Sequence, residues 1–469
     1  MKLSRVFVIG ALAACALAGC TSLEKGQCKR DSHCDDMSEK QVDMWVCYKE
    51  PADAPADQIG TCMRARDARE AQARYERKKH GKCEDKDGDG VKAGDACDPP
   101  VDCDDDDPAV KPGASEICDL KDNDCDDLIN EDLPRCAGTI LGGKRDPVVQ
   151  FMLTLPAGVE AAENGVIWAA DQHQIYRIDQ NRKATRFAGS NKPGHEDKKG
   201  KFARFDKPRG LAVDVSGNVY VAECNNNCVR KISSSAEVKA YAGKCSNEPD
   251  DTGLDELGDT EAARFWCPID LALDADGSLL VADMLNSKIK RVTKDGKVEL
   301  VAGLGGKQDE DGYVVFGSSD GPAKKAEFNE PAGLAVAKDG AIYIADTKNH
   351  CIRVLNAGKV STFAGKCESG KDKGAFADGK AAAARFNQPQ SVDVDAAGAV
   401  YVADAGNQCI RKIAKGMVTT VAGKAGQQGY YDGPVDEALF NQPMTVSVAK
   451  DGSLLVVDHG NYRIRRVVQ

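Results

Sequence analysis

The chain is poor in histidine and in aromatic residues: 6 histidines in 469 residues, and 6% Phe, Trp and Tyr together. The four histidines in its C-terminal two-thirds, His173, His195, His350 and His459, form no sequence cluster of the kind a metal-dependent catalytic centre draws on. Basic residues are outnumbered, 63 Lys and Arg against 74 Asp and Glu, for a formal net charge of −11. That excludes a whole-protein nucleic-acid surface. After the first 18 residues no apolar run is long enough to span a bilayer. Few aromatics beside 46 glycines point to a turn-rich β protein rather than a helical one.

The one long apolar run, Val6 to Ala18, follows Lys2 and Arg5, as in a signal peptide. It ends in Leu17-Ala18-Gly19-Cys20. This resembles a bacterial lipobox, which implies cleavage after residue 19 and lipidation of Cys20. Thr21 follows where Asp would favour inner-membrane retention, so an outer-membrane lipoprotein, periplasmic or surface-exposed, is expected. Contact with the membrane would be through the lipid alone. The 19 cysteines suit such an oxidising compartment.

Residues 20–80 hold Cys28, Cys34, Cys47 and Cys62, which allow three pairings, and a charged stretch from Arg64 to Lys79 that reads as a helical spacer. Residues 81–135 are different. From Gly81 to Asp132 there are 19 acidic and 5 basic residues, and no hydrophobic period. Such a segment cannot fold by burial and needs staples.

From residue 136 onward the chain repeats itself. Ala341-Ile342-Tyr343-Ile344-Ala345-Asp346 returns as Ala399-Val400-Tyr401-Val402-Ala403-Asp404. Pro156, Pro208, Pro268, Pro331, Pro389 and Pro443 mark six units, 52 to 63 residues apart. Each unit reads as four short strands, so residues 136–469 are expected to be an all-β, six-bladed propeller. The motifs Tyr343-Ile344-Ala345-Asp346, Asn349-His350-Cys351-Ile352-Arg353 and Phe363-Ala364-Gly365 resemble the NHL repeat family. The first unit departs most: its turn after Asp171 is shorter and lacks the usual Asn. The sixth unit ends within its third strand. Thr139 to Lys144 aligns with Thr419 to Lys424, so this upstream segment is expected to supply the missing strand and clasp the ring.

Asp85-Lys86-Asp87-Gly88-Asp89-Gly90 places oxygens at alternate positions with a glycine at the sixth, the wrapping a hard cation requires. Ala96 stands at the twelfth position, where an EF-hand has Glu, so a thrombospondin-type calcium loop is the nearer resemblance. Asp102 to Asp107, followed by Glu116-Ile117-Cys118-Asp119 and Asp122-Asn123-Asp124-Cys125-Asp126, resembles a metal-binding motif of Gram-negative surface proteins, a family that includes a copper-binding member. Asp127 stands where that motif commonly has Gly. The candidate ligands are Asp85, Asp87, Asp89, Asp104, Asp106, Asp122, Asp124, Asp126 and Glu131. Their all-oxygen chemistry favours a structural Ca²⁺. Copper is less favoured, since it prefers His or sulfur and only His80 is near.

Within the repeats, Cys228 and Cys245 occupy adjacent strand ends of one blade, and Cys351 and Cys367 the same places two blades on. Disulfides Cys228–Cys245 and Cys351–Cys367 are expected, with Cys224–Cys267 bridging neighbouring blades and Cys409 free, because Ala425 faces it. One carboxylate recurs per blade: Asp171, Glu223, Asp283, Asp346, Asp404 and Asp458. Bonding within their own turns, usually to an Asn three residues on, is the favoured reading over a metal-holding ring in the channel. The function expected is that of a monomeric binding scaffold for an envelope or extracellular protein or glycan, raised on a calcium-binding stalk. A metal-dependent envelope lyase or hydrolase with its site in the channel is the alternative.

Overall fold

The computed structural model describes three short strands within the first 64 residues, residues 111–112 and 135–142, and residues 153–469 apart from 163, 180–182, 247–254, 306, 309–313 and 369–373. Contacts divide the chain into two units, one of residues 1–115 and 122–128, the other of residues 116–121 and 129–469. In the first unit, Gln27–Cys28, Trp45–Tyr48 and Gly60–Arg64 form an antiparallel sheet with the last of these in the middle. Its register sets Cys47 opposite Cys62. The expected spacer helix beyond Arg64 lies outside the described residues; Arg64 itself ends a strand.

The second unit holds six antiparallel sheets arranged as the blades of a propeller, two of four strands and four that add a two-residue fifth strand at the outer edge. The marker prolines open the six innermost strands: Pro156–Ala161, Pro208–Val213, Pro268–Leu273, Pro331–Val336, Pro389–Val394 and Pro443–Val448. Proline suits this place, because the first residue of a strand at the inner edge loses little by lacking an N–H. Second strands such as Val400–Asp404 are buried at every position, since both faces of a blade meet neighbours. No blade buries itself alone. Six apolar clusters fill the six interfaces, and the one between the last blade and the first holds Ile140, Leu141, Val457 and Ile464 against Val159, Ala169 and Tyr176. The ring is therefore closed.

Closure uses the upstream strand Cys136–Gly142 as the outer strand of blade six, antiparallel to Arg463–Val468. The register differs by one residue from the sequence alignment. Thr139 faces Arg465 as Thr420 faces Arg411, so Thr139 corresponds to Thr420 and not to Thr419. The physical reason is a pin: the Thr139 N–H donates to Asp432 Oδ2 at 3.1 Å, as the Thr420 N–H donates to Asp378 Oδ2 at 3.0 Å. A slip of one residue would break this bond and turn every side chain to the other face.

Candidate functional site

The recurrent carboxylates do not line the channel. Each closes the end of a second strand and is buried. Asp346 accepts the Asn329 N–H at 2.8 Å, the Asn349 side chain at 2.9 Å and the Arg353 guanidinium at 2.7 Å. The Asn partner is the one expected from the turn; the other two are not local. Arg353 is fully buried, reaches Asp320 on the incoming interblade connection at 2.6 Å, and donates to the carbonyls of Glu327 and Ser319. It lies over the Phe328 ring, 5.3 Å from the centroid.

The same socket recurs as Glu223–Arg230–Asp197, Asp404–Arg411–Asp378 and Asp458–Arg465–Asp432. Blade three uses Lys290 between Asp283 and Asp255, 2.7 Å from each. Burial pushes Asp404 and Asp458 up to about 6, with the arginine acting against it. Blade one has no such cation: Tyr176 stands opposite Ala169, at the arginine's register, and Asp171 instead accepts the N–H groups of Thr154 and Leu155.

A second recurring tie joins blade to blade. In blades two to five the residue ending the turn between second and third strands is left-handed, and so is the residue before the next blade's proline. The former accepts the N–H of the latter: Asn227 from Cys267 (2.9 Å), His350 from Gln388 (3.0 Å) and Gln408 from Gln442 (2.6 Å). This is the physical content of the repeat-consensus His350. His459 donates from Nδ1 to the Pro156 carbonyl at 2.7 Å, and so crosses the closure.

The axis holds a cavity of about 210 Å³, walled by the first strands. Small residues let those strands converge: a Cβ on Gly210 would stand 2.5 Å from Asp270 Cα, and one on Gly333 2.6 Å from Ser391 Cα. Three carboxylates, on alternate blades, line it: Glu160, Asp270 and Asp393. The inner edge of a first strand has N–H groups without a β partner, and side chains of the preceding blade accept them. Leu334 N–H meets Asp270 at 2.9 Å, Val448 N–H meets Asp393 at 2.6 Å, and Ala161 N–H meets Ser447 Oγ at 3.1 Å. Burial pushes Asp270 up to about 7 and Asp393 to about 6. The Glu160 carboxyl is also raised, first by burial and then by Asp393 and Asp270. Sequence reasoning passed over these three acids. Their signal is position: each stands two or four residues after a marker proline, on the face alternate to the core.

No histidine lines the cavity among the described residues. Gly317 to Gly321 spells Gly-x-Ser-x-Gly, but it lies in a connection between blades, with Ser319 Oγ donating to Glu327 at 2.7 Å, and not at a strand-to-helix elbow. Among the described residues, only Glu223, Cys228 and Cys245 bring three potential ligand atoms within 4.8 Å of one another. Both sulfurs there belong to one disulfide, so the group is no metal centre. The other bridges are Cys351–Cys367 within blade four and Cys224–Cys267 between blades two and three; Cys409 is free and buried. Cys20 and the nine candidate ligands, Asp85, Asp87, Asp89, Asp104, Asp106, Asp122, Asp124, Asp126 and Glu131, lie outside the described residues.

Residues 386–413 match the NHL repeat and residues 140–356 the teneurin NHL domain. The ring is an NHL-repeat propeller. Residues 102–131 match the metal-binding motif of the Cu-binding MopE type, so a metal-binding motif precedes it. Mouse teneurin-4 is 32% identical over 238 residues, which are 46% of this chain and 8% of teneurin-4. Human NHL repeat-containing protein 2 is 30% identical over 228 residues, 43% of this chain and 30% of that protein. The chain thus spans less than a third of the length of these curated relatives. Two Bacteroides thetaiotaomicron structures superpose with TM-scores of 0.50. One is a structural genomics protein of unknown function, 21% identical; the other an auxiliary nutrient binding protein, 15% identical. They cover 71% of this chain and 75% and 76% of their own, and at that identity the likeness is one of fold.

Proposed function

We propose that this chain is a cell-envelope lipoprotein, anchored through Cys20 in the outer membrane, whose NHL propeller is a binding scaffold for an envelope or extracellular protein or glycan. One observation carries the reading. Among the described residues, six of the eight exposed large apolar side chains, Phe202, Leu257, Leu304, Phe376, Tyr430 and Tyr431, lie on the five connections that follow blades one to five, at least one on each. Each connection runs from the end of a fourth strand to the start of the next blade's first strand, and on the way passes the outer strand of the blade it enters, as Gly258 and Asp259 do beside Val298 and Lys297. A rigid ring thus presents a crown of apolar groups among polar loops, the makeup of a recognition surface. The channel, by contrast, has its carboxylates engaged in holding first strands together, which argues against the alternative of a lyase or hydrolase there.

The Asp-rich segment upstream binds calcium in a structural role. Its donor set of carboxylate oxygens suits a hard cation and offers copper little. Photo-crosslinking residues placed at Phe202, Phe376 and Tyr431 should capture one discrete partner on intact cells. Val215, exposed in the turn between the first two strands of blade two and not on a connection, should capture none. Equal capture at Val215, or none from the connections, refutes the scaffold reading. Calorimetric titration of the full chain should show calcium binding that Asp104→Asn with Asp124→Asn weakens at least tenfold; unchanged affinity refutes that assignment.

A further inference from the structure

The three carboxylates of the axial cavity sit on blades one, three and five and face one space of about 210 Å³ walled by first strands. Two are built into ring closure: Asp270 joins blade three to blade four through the Leu334 N–H, and Asp393 joins blade five to blade six through the Val448 N–H. Glu160 crosses the closure itself, accepting from Ser447 Oγ of blade six at 3.3 Å. We propose that this trio makes the propeller a proton-responsive ring, in which mild acidification neutralises the axis and tightens the closure. Ionised, the three acids repel one another across this one cavity; protonated, they do not.

The surroundings leave them little compensation. Glu160 feels Asp393 and Asp270, Asp270 feels Asp393, and Asp393 feels Asp395 in the turn beyond its own strand. The remaining first strands bring a single cation, Arg209, beside Asp270, and burial lowers its pKa. The second strands behind the wall carry Asp171, Glu223, Asp283, Asp346, Asp404 and Asp458, and all but Asp171 face their own arginine or lysine. On the third strand of blade six, Arg465 faces Asp458 and Arg466 faces Asp451.

The sign follows from linkage. Raised native pKa values mean that the folded ring holds protons the unfolded chain has released, between the ordinary carboxylate range near 4 and about 7. Stability is therefore highest below that window and falls as pH rises through it. Glu160→Gln is the informative variant, because it removes one charge, keeps the shape, and deprives no backbone N–H of its acceptor.

In thermal unfolding of the full chain between pH 5 and 8, the wild type should lose stability as pH rises. The variant should lose less, melting roughly 3 °C or more above the wild type at pH 8. Proton release on denaturant unfolding at pH 6 should be smaller for the variant by up to one proton, a readout that a mere packing change does not move. Parallel melting curves with equal proton release, or a variant less stable than wild type at pH 8, overturn the proposal.

Discussion

Arg411 is the place to break a socket. It is fully buried and donates to Asp404 at 2.7 Å, to Asp378 at 2.5 and 3.0 Å, and to the carbonyls of Arg385 and Ala377 at 3.1 and 2.8 Å. Arg411→Met keeps most of the apolar volume and removes the charge. Asp404 then sits buried with only the Asn387 N–H and the Asn407 amide as donors. Breaking a buried pair from one side costs about 3–5 kcal/mol. The orphaned carboxyl can escape by taking a proton; because the wild-type carboxyl is already pushed up to about 6, holding that proton at pH 7 contributes only about 1.4 kcal/mol of this deficit at 1.36 kcal/mol per unit. The pH dependence is a further check. The variant's Asp404 keeps its proton throughout, whereas the wild-type carboxyl, at about 6, loses it on the way to neutrality. The deficit should thus shrink by about 1 kcal/mol between pH 7 and pH 5. Asp404→Asn added to Arg411→Met should recover part of the loss, because the orphaned charge is gone. Arg411→Lys should cost less, since blade three holds Lys290 in the same socket. Denaturant unfolding at the two pH values measures all of these. A deficit under 1 kcal/mol for Arg411→Met, or strict additivity in the double variant, refutes the view of the socket as an electrostatic unit.

A chain beginning at Arg145 lacks the closing strand and exposes the edge of Arg463–Val468; it should form aggregates in size-exclusion chromatography, and a stable monomer would show the clasp to be dispensable. Ala425→Cys should pair with Cys409, as Cys367 pairs with Cys351 at the same spacing of 16 residues, and raise stability by up to about 3 kcal/mol; the loss of one thiol in denaturing titration reports the bond, and a persisting thiol refutes the equivalence. Gly333→Ala would set its Cβ 2.6 Å from the Ser391 backbone and should lower stability by at least ~2 kcal/mol in the same unfolding assay; a neutral result would mean that the first strands can part.

The blade count, the strand order and the need for a clasp were legible because each depends on local pattern: prolines at strand starts, alternation within strands, and a last unit one strand short. The sockets were half legible. Asp346 and Asn349 belong to one turn and their bond follows from it, but Arg353 gave no sign of being buried. An arginine in the middle of a strand ordinarily reads as the solvent side, and in a propeller blade neither face is the solvent side. Its second partner, Asp320, is 33 residues upstream in a connection that has no strand pattern of its own. The axial acids were illegible for a related reason: Asp270 and Asp393 act on the N–H groups of another blade's edge, 64 and 55 residues away.

The interblade cores cannot by themselves choose a register. The closing strand has apolar neighbours on both faces, with Ala137 in one interface and Ile140 and Leu141 in the other, so a shift by one residue would still meet apolar surroundings. What separates the two registers is polar. Only with Thr139 opposite Arg465 does the Asp432 carboxylate both accept the Thr139 N–H and face the buried guanidinium at 2.8 Å. A buried ion pair adds little net stability over apolar packing of the same volume, yet one left incomplete is severely penalised. That asymmetry suits a ring whose two ends meet from more than 300 residues apart: hydrophobic burial drives the last blade together, and the socket rejects every alignment but one.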